Sequence, residues 1–318
     1  VTPELVTFGE TMVRLSPPRG GRLETSDTLR FSTAGAESNV AIAASRLGAD
    51  AAWLSKLPDS ALGRRVATDV RRHGVEPAVV WSDDHRQGTY YLEHGGEPRG
   101  TSVIYDRADA AVTTATPDEL PTRLLEDAAY YYTSGITPAL SDQLESTTRS
   151  LLDAARSAGA TTAFDLNYRS KLWSPEAARE TLEPLFPLVD VFVVAARDAR
   201  TVLGRDGDAA AIAASLEAEF GFETVLVTRG DEGALARVDG ETYEQGAFET
   251  ETVDPIGTGD AFVGGYLASR IHGEPVPDAL ETGAATAALK RTLDGDLAII
   301  TPTEVERVCE QSSGGISR

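Results

Sequence analysis

Short apolar runs alternate with amphipathic stretches almost from one end of the chain to the other. The runs "LVTFG" (5–9), "AAWLS" (51–55), "TTAFDL" (161–166), "VDVFVVA" (189–195) and "TVLVTR" (224–229) have the length and residue types of buried strands. Between them, residues 38–47, 60–73, 141–158 and 207–220 repeat apolar positions at helical spacing. The order βαβα predicts an α/β fold, a largely parallel sheet with helices on its faces. Two segments break the rhythm. Residues 10–33 contain "SPPRGG" and alternate polar and apolar positions without a helical period, and residues 86–107 hold two strand-like runs, "TYYLEH" and "TSVIYD", around the turn "GGEPRG". Segments 10–33 and 86–110 are together expected to form a small antiparallel sheet standing off the main body of one domain, 1–318. No internal repeat or low-complexity linker is visible, and the last residues, "QSSGGISR", read as a frayed tail.

Composition narrows the possibilities. A chain of 318 residues can bury a substantial core, as one large α/β domain or two modest ones. No apolar run approaches the roughly 20 residues of a membrane span, and "VTPELVTFGE" has no basic region followed by an apolar core, so no secretion signal is visible. A reducing cytoplasm is the expected location, where the lone Cys309 has no intramolecular disulfide partner. Charge is the unusual property: 50 acidic against 29 basic residues give a net charge of −21, spread along the whole chain. That distribution predicts a uniformly acidic surface suited to a high-salt cytoplasm, and it excludes nucleic acid, which needs a basic face.

The stretch "ETVDPIGTGDAFVGGYLASR" (251–270) concentrates the candidate chemistry. Gly257, Thr258 and Gly259 lead into Asp260, and a turn of this kind opening a helix points unpaired N–H groups outward, where the macrodipole also favours anions. Asp260 has a plainer alternative role as a helix-start cap. Gly264 and Gly265, inside the same helix, should together cost about 1–2 kcal/mol unless another backbone approaches closely. Competing phosphate motifs are absent: no glycine–lysine–serine or glycine–lysine–threonine occurs, no Gly-x-Gly-x-x-Gly follows a predicted strand, and the four histidines lack metal-ligand spacing.

The string "DPIGTGDAFVGGYL" resembles the C-terminal signature of the ribokinase-like (PfkB) carbohydrate kinases, and "AGAESNVAIAASRLG" (34–48) resembles their N-terminal one. The resemblance spans essentially the whole chain. It implies a three-layer αβα fold with a mostly parallel central sheet and a small β lid. It also implies that Asp260 takes the proton from the accepting sugar hydroxyl while the backbone of 257–260 forms an anion hole for the transferred phosphoryl group. Gly35 and Asn39 would touch sugar hydroxyls, although Ala34 stands where the family's first glycine is usual. On the nucleotide side "TRGDEGA" (228–234) resembles the loop beside the phosphates, which implicates Thr228, Gly230 and Gly233, with Asn167 facing the same ligand. ATP and Mg2+ are the implied cofactors, with K+ as a further candidate. The family's Asn-x-x-Glu for indirect magnesium binding is replaced here by Ala195 and Asp198, which keeps one carboxylate.

For the acceptor, "VIYDRADAA" and "FDLNYRSKLW" look like the corresponding strings of 2-keto-3-deoxygluconate kinases. By that resemblance Tyr90, Tyr105, Arg107 and Arg169 would hold an acid sugar, and the product would be 2-keto-3-deoxy-6-phosphogluconate. Asp296 is a further candidate to reach the sugar. Two readings stand against it: a fructokinase or other neutral-sugar kinase of the same family, and a catalytically silent sugar-binding regulator. Exposed edges of the lid strands also predict pairing between subunits as a homo-oligomer.

Overall fold

A computed structural model describes residues 2–95 and 98–313. The chain begins with β1 (Leu5–Phe8), β2 (Met12–Ser16), β3 (Arg30–Ala34), α1 (Ala36–Arg46), β4 (Ala51–Pro58), α2 (Ala61–Arg71) and β5 (Glu76–Ser82). It continues through β6 (Thr89–His94), β7 (Thr101–Asp106), β8 (Tyr130–Ser134), α3 (Asp142–Ala158), β9 (Thr161–Asp165), α4 (Pro175–Leu182), β10 (Val191–Ala195) and α5 (Ala196–Leu203). The last part comprises α6 (Ala209–Phe220), β11 (Thr224–Thr228), β12 (Ala234–Val238), β13 (Glu241–Gln245), α7 (Thr258–Ile271), α8 (Val276–Arg291) and α9 (Pro302–Ser313). Part of the turn "GGEPRG" and the last five residues of "QSSGGISR" lie outside the described residues; Gln311–Ser313 end α9 instead of fraying.

The expected α/β fold is present. Among the described residues the large sheet runs β13-β12-β11-β10-β9-β8-β1-β4-β5, parallel from β11 to β5 and antiparallel at the β11–β12–β13 end. Its central strands are buried on both faces, so period-2 alternation sends neighbouring side chains into opposite layers. Phe192 and Val194 join Leu151, Leu182 and Leu216 on one face, while Val191 and Val193 join Val40, Phe262 and Leu280 on the other. Serine and aspartate caps start several helices: the side chains of Ser60, Ser141, Ser174 and Asp208 each accept an N–H from the first turn of α2, α3, α4 and α6.

Segments 10–33 and 86–107 supply the smaller sheet, ordered β3-β2-β6-β7. Its outer pairs, β2–β3 and β6–β7, are antiparallel as expected, but the two inner strands, β2 and β6, run parallel. The reason lies in the large sheet: β2 follows β1 and β6 follows β5, two strands that point the same way, so both chains leave its C-terminal edge in one direction.

The glycine pair in α7 is explained by packing. A Cβ on Gly264 would stand 2.5 Å from Ala43 Cβ and 2.7 Å from the Val40 carbonyl oxygen of α1, and one on Gly265 would lie 2.6 Å from Thr286 Oγ1 of α8. Helix α7 is thus pressed against α1 and α8 at backbone distance. Gly264→Ala is expected to lose about 1–3 kcal/mol to overpacking, against at most about 1 kcal/mol regained in helix propensity. The thermal midpoint should fall; an unchanged or higher one would show that α1 can retreat freely.

Candidate active site

A cleft of about 1320 Å3 opens where the C-terminal ends of β9, β10 and β11 meet the first turns of α1 and α7 and the inner face of the smaller sheet. Ligands of parallel α/β folds gather at this edge. Every candidate site residue read from the sequence lines it: Gly35 and Asn39 from the start of α1, Tyr90, Tyr105 and Arg107 from the smaller sheet, and Asn167, Arg169 and Asp198 beyond β9 and β10. Thr228, Gly230 and Gly233 follow from the end of β11, and Gly257, Thr258, Gly259 and Asp260 from the α7 turn.

Asp260 sits in the first turn of α7, and Asn39 Nδ2 donates to its Oδ2 at 2.7 Å. Among the described residues no side chain donates to Oδ1, which leaves that oxygen for a ligand. Burial pushes its pKa up to about 6, and the neighbouring Asp296 adds to the rise; the Asn39 hydrogen bond, Arg169 and Lys290 oppose it. Two further carboxyls crowd this centre. Asp165, at the end of β9, is held at about 7 by burial and by the Asp260 charge. Glu37, in α1, is also raised to about 7 by burial, although Ser134 Oγ and Thr137 Oγ1 donate to it at 2.6 and 2.9 Å.

Upstream of Asp260 the backbone makes the anion-facing turn. Gly257 has φ +78°, and a Cβ there would meet the Asp296 carbonyl oxygen at 2.1 Å, so both conformation and space require glycine. The Thr258 amide turns back to the Pro255 carbonyl at 3.3 Å. Among the described residues the amides of Gly257, Gly259 and Asp260 have no main-chain acceptor, so within the 257–260 turn read from the sequence three donors stay open and Thr258 is the one turned away.

The two arginines differ. Arg107 Nη2 is paired with the buried Glu10 carboxylate, and its guanidinium lies 5.4 Å from the Tyr105 ring centre. Arg169 donates to the Tyr168 carbonyl at 3.2 Å and, among the described residues, has no carboxylate within 4.0 Å. Tyr90 and Tyr105 stack obliquely with ring centres 5.9 Å apart. Tyr90 also reaches Asp296, whose other carboxylate oxygen accepts from Arg14 Nη1 at 2.6 Å.

On the opposite wall, Asn167 takes φ +40°, a left-handed conformation that asparagine tolerates, and its backbone N–H donates to Asp165 Oδ1 at 2.9 Å. Asp198, in the first turn of α5, is buried next to Arg197. Asp165 and Asp198 give this wall two hard oxygen donors, a set suited to Mg2+. Among the described residues the one tight trio of metal-binding side chains is His94, Asp254 and Asp294, and Arg14 already occupies it, 2.7 Å from His94 Nε2 and 3.6 Å from Asp254. Sequence reasoning missed Asp165, Glu37, Glu10, Arg14 and Lys290. Only Asp165 had a signal, as the strand-end aspartate of "FDLNYR".

Residues 2–303 match the profile of the pfkB family carbohydrate kinases, and the chain belongs to that family. It is thus a carbohydrate kinase. Along its full length it is 67% identical to the 2-dehydro-3-deoxygalactonokinase of Haloferax volcanii, with 100% of both chains covered. It is also 30% identical to the 2-dehydro-3-deoxygluconokinase of Bacillus subtilis, over 92% of this chain and 91% of that one. The crystal structure of 2-dehydro-3-deoxygluconokinase from Thermotoga maritima superposes with a TM-score of 0.92 at 31% identity, covering 98% of this chain and 99% of the other.

Proposed function

We propose that this kinase transfers the γ-phosphoryl group of ATP to the C6 hydroxyl of a 2-keto-3-deoxy sugar acid, the galactonate epimer first and the gluconate epimer second. The observation that carries the proposal is the free Oδ1 of Asp260 beside open amides, in a cleft that also holds the unpaired Arg169 guanidinium. The full-length similarity to a galactonate-type enzyme supports that order of the epimers. Asp260 takes the hydroxyl proton as the new O–P bond forms, and the amides of Gly257, Gly259 and Asp260 face the charge on the phosphoryl oxygens. Arg169 pairs with the acceptor carboxylate, and Asn39, Gly35, Tyr90, Tyr105 and Arg107 frame its hydroxyls. The wall of Asn167, Thr228, Gly230 and Gly233 takes the nucleotide. Mg2+, held through Asp165 and Asp198, would neutralise phosphate charge when bound.

The smaller sheet acts as a lid on the acceptor, and its outer strand β7, with Ile104 and Tyr105 exposed, is the edge through which subunits pair. The net charge of −21 fits a cytosol of high salt, in which K+ serves as the bulk counter-ion. No described helix is long and apolar enough to cross a membrane. The test is ADP release in molar potassium chloride with 2-keto-3-deoxygalactonate, 2-keto-3-deoxygluconate, fructose and ribose. Turnover faster on the neutral sugars would overturn the acid-sugar assignment, and none on any sugar would favour the silent regulator.

The pH dependence follows from the same carboxyls. A base works ionised, so kcat/KM should be full by about pH 8 and fall as pH drops through about 7 and about 6, where Asp165 and Asp260 take up protons. A pH–rate profile checks this; a rate still flat at pH 5 would remove Asp260 as the base.

A further inference from the structure

Beneath the anion-facing turn lies a cation that the proposed chemistry does not use. Lys290, in the last turn of α8, is fully buried. Its Nζ donates to the Asp254 carbonyl at 2.9 Å and to the Leu293 carbonyl at 3.4 Å, and among the described residues no carboxylate oxygen lies within 4.0 Å of it. The residue it grips is itself a junction. Asp254 is fully buried; its Oδ1 accepts from the Ile256 amide at 3.0 Å and its Oδ2 from the Gly295 amide at 3.1 Å. The Val253 and Asp254 amides donate to the Arg291 carbonyl. Three residues on, Gly257 lies against the Asp296 carbonyl. The loop 253–257 and the loop 291–296 are therefore fastened face to face, with one buried ammonium joining their carbonyls.

Burying an unpaired cation is costly, and burial pulls the Lys290 pKa down while the Asp254 and Asp296 charges pull it back up. A neutral donor such as a glutamine amide could satisfy the same two carbonyls without that cost. The charge itself therefore needs a use, and the nearest one is the anion site above it.

We propose that Lys290 is a positioning residue for phosphoryl transfer: its ammonium fixes the Asp254–Gly257 turn in the register that aims the open amides, and it supplies a positive charge at their base. The assignment rests on reading that turn as the phosphoryl site. The same charge favours ionised Asp260. Asp260 is otherwise faced by Glu37 and Asn39 of α1, Tyr132 of β8, Asp165 of β9, Arg169 beyond β9 and Asp296 beyond α8.

The test compares Lys290→Met with Lys290→Arg in the full-length enzyme. Displacing the donors costs about 10²-fold, so the Met variant should lose kcat on that scale with a smaller change in the KM for ATP. Its acid limb in kcat/KM should move to higher pH, because Asp260 loses a cation that lowers its pKa. The Arg variant, which keeps charge and donors, should restore the wild-type limb. If the Met variant does not fold, Lys290→Gln, uncharged but still a donor, is read the same way. An acid limb that stays in place overturns the assignment whatever happens to kcat, and so does a lowered thermal midpoint with wild-type kcat. Full activity of Asp260→Asn would sink the proposed function itself, whereas an inactive Asp260→Asn beside an unaffected Lys290→Met would sink this inference alone.

Discussion

Asp260→Asn is expected to lower kcat by about 10²–10⁴-fold while the protein stays folded and nucleotide affinity changes little. The substitution is nearly isosteric, and the asparagine carbonyl can still accept the hydrogen bond from Asn39 Nδ2. What disappears is the proton acceptor and one of three crowded carboxyl charges. Because the Asp260 pKa is raised on folding, its ionised form weakens the fold at every pH above its unfolded value. The variant's thermal midpoint at pH 8 should therefore equal or exceed that of the wild type, and the pKa values of Glu37 and Asp165, both raised by the Asp260 charge, should relax downward. A dead enzyme that is no less stable is the signature of a group kept for reaction at the expense of stability. More than half of wild-type turnover would reject the base.

Arg169→Ala should cost on the order of 1.5–3 kcal/mol in kcat/KM for the acid sugar, as for a charge-assisted hydrogen bond, and much less for a neutral ketose. Arg107 makes the useful contrast, since its guanidinium is already neutralised by Glu10 and has less to offer an incoming carboxylate. Removing Arg169 also withdraws a cation that lowers the Asp260 pKa, which would slow every substrate near pH 6. The comparison therefore belongs at about pH 8, where Asp260 is ionised in either protein. Equal losses on acidic and neutral acceptors would move Arg169 to the phosphate side or to a structural role.

Much of the architecture was legible because buried parallel strands announce themselves: "VDVFVVA" and "TVLVTR" are apolar runs too short for helices, and they became β10 and β11. Strand β8 was not, because its run of tyrosines followed by threonine and serine reads as polar, and Tyr131 and Tyr132 nonetheless lie fully buried. The end strands were missed for different reasons: β12, "ALARV", is a short run of helix-favouring residues, and β13, "ETYEQ", is mostly polar and reads as a loop. For the cleft, the sequence could place residues whose neighbours along the chain share their task, such as Gly257 to Asp260. It could not reveal Arg14 meeting Asp296 or Lys290 meeting the Asp254 carbonyl, since those contacts join distant segments and no local pattern encodes them.

Helices α1 and α7 touch at backbone distance through Gly264, and they carry Asn39 and Asp260, whereas Tyr90, Tyr105 and Arg107 ride on the smaller sheet. Descent can therefore act on the two supports at different speeds. Substitutions in the hairpin of β6 and β7 can recruit a new acceptor without disturbing the geometry of phosphoryl transfer, while almost any added atom at Gly264 would disturb it for all acceptors alike. Lineages that divide one ancestral sugar kinase among several sugars should accumulate their differences in that hairpin and keep the α1–α7 seam unchanged.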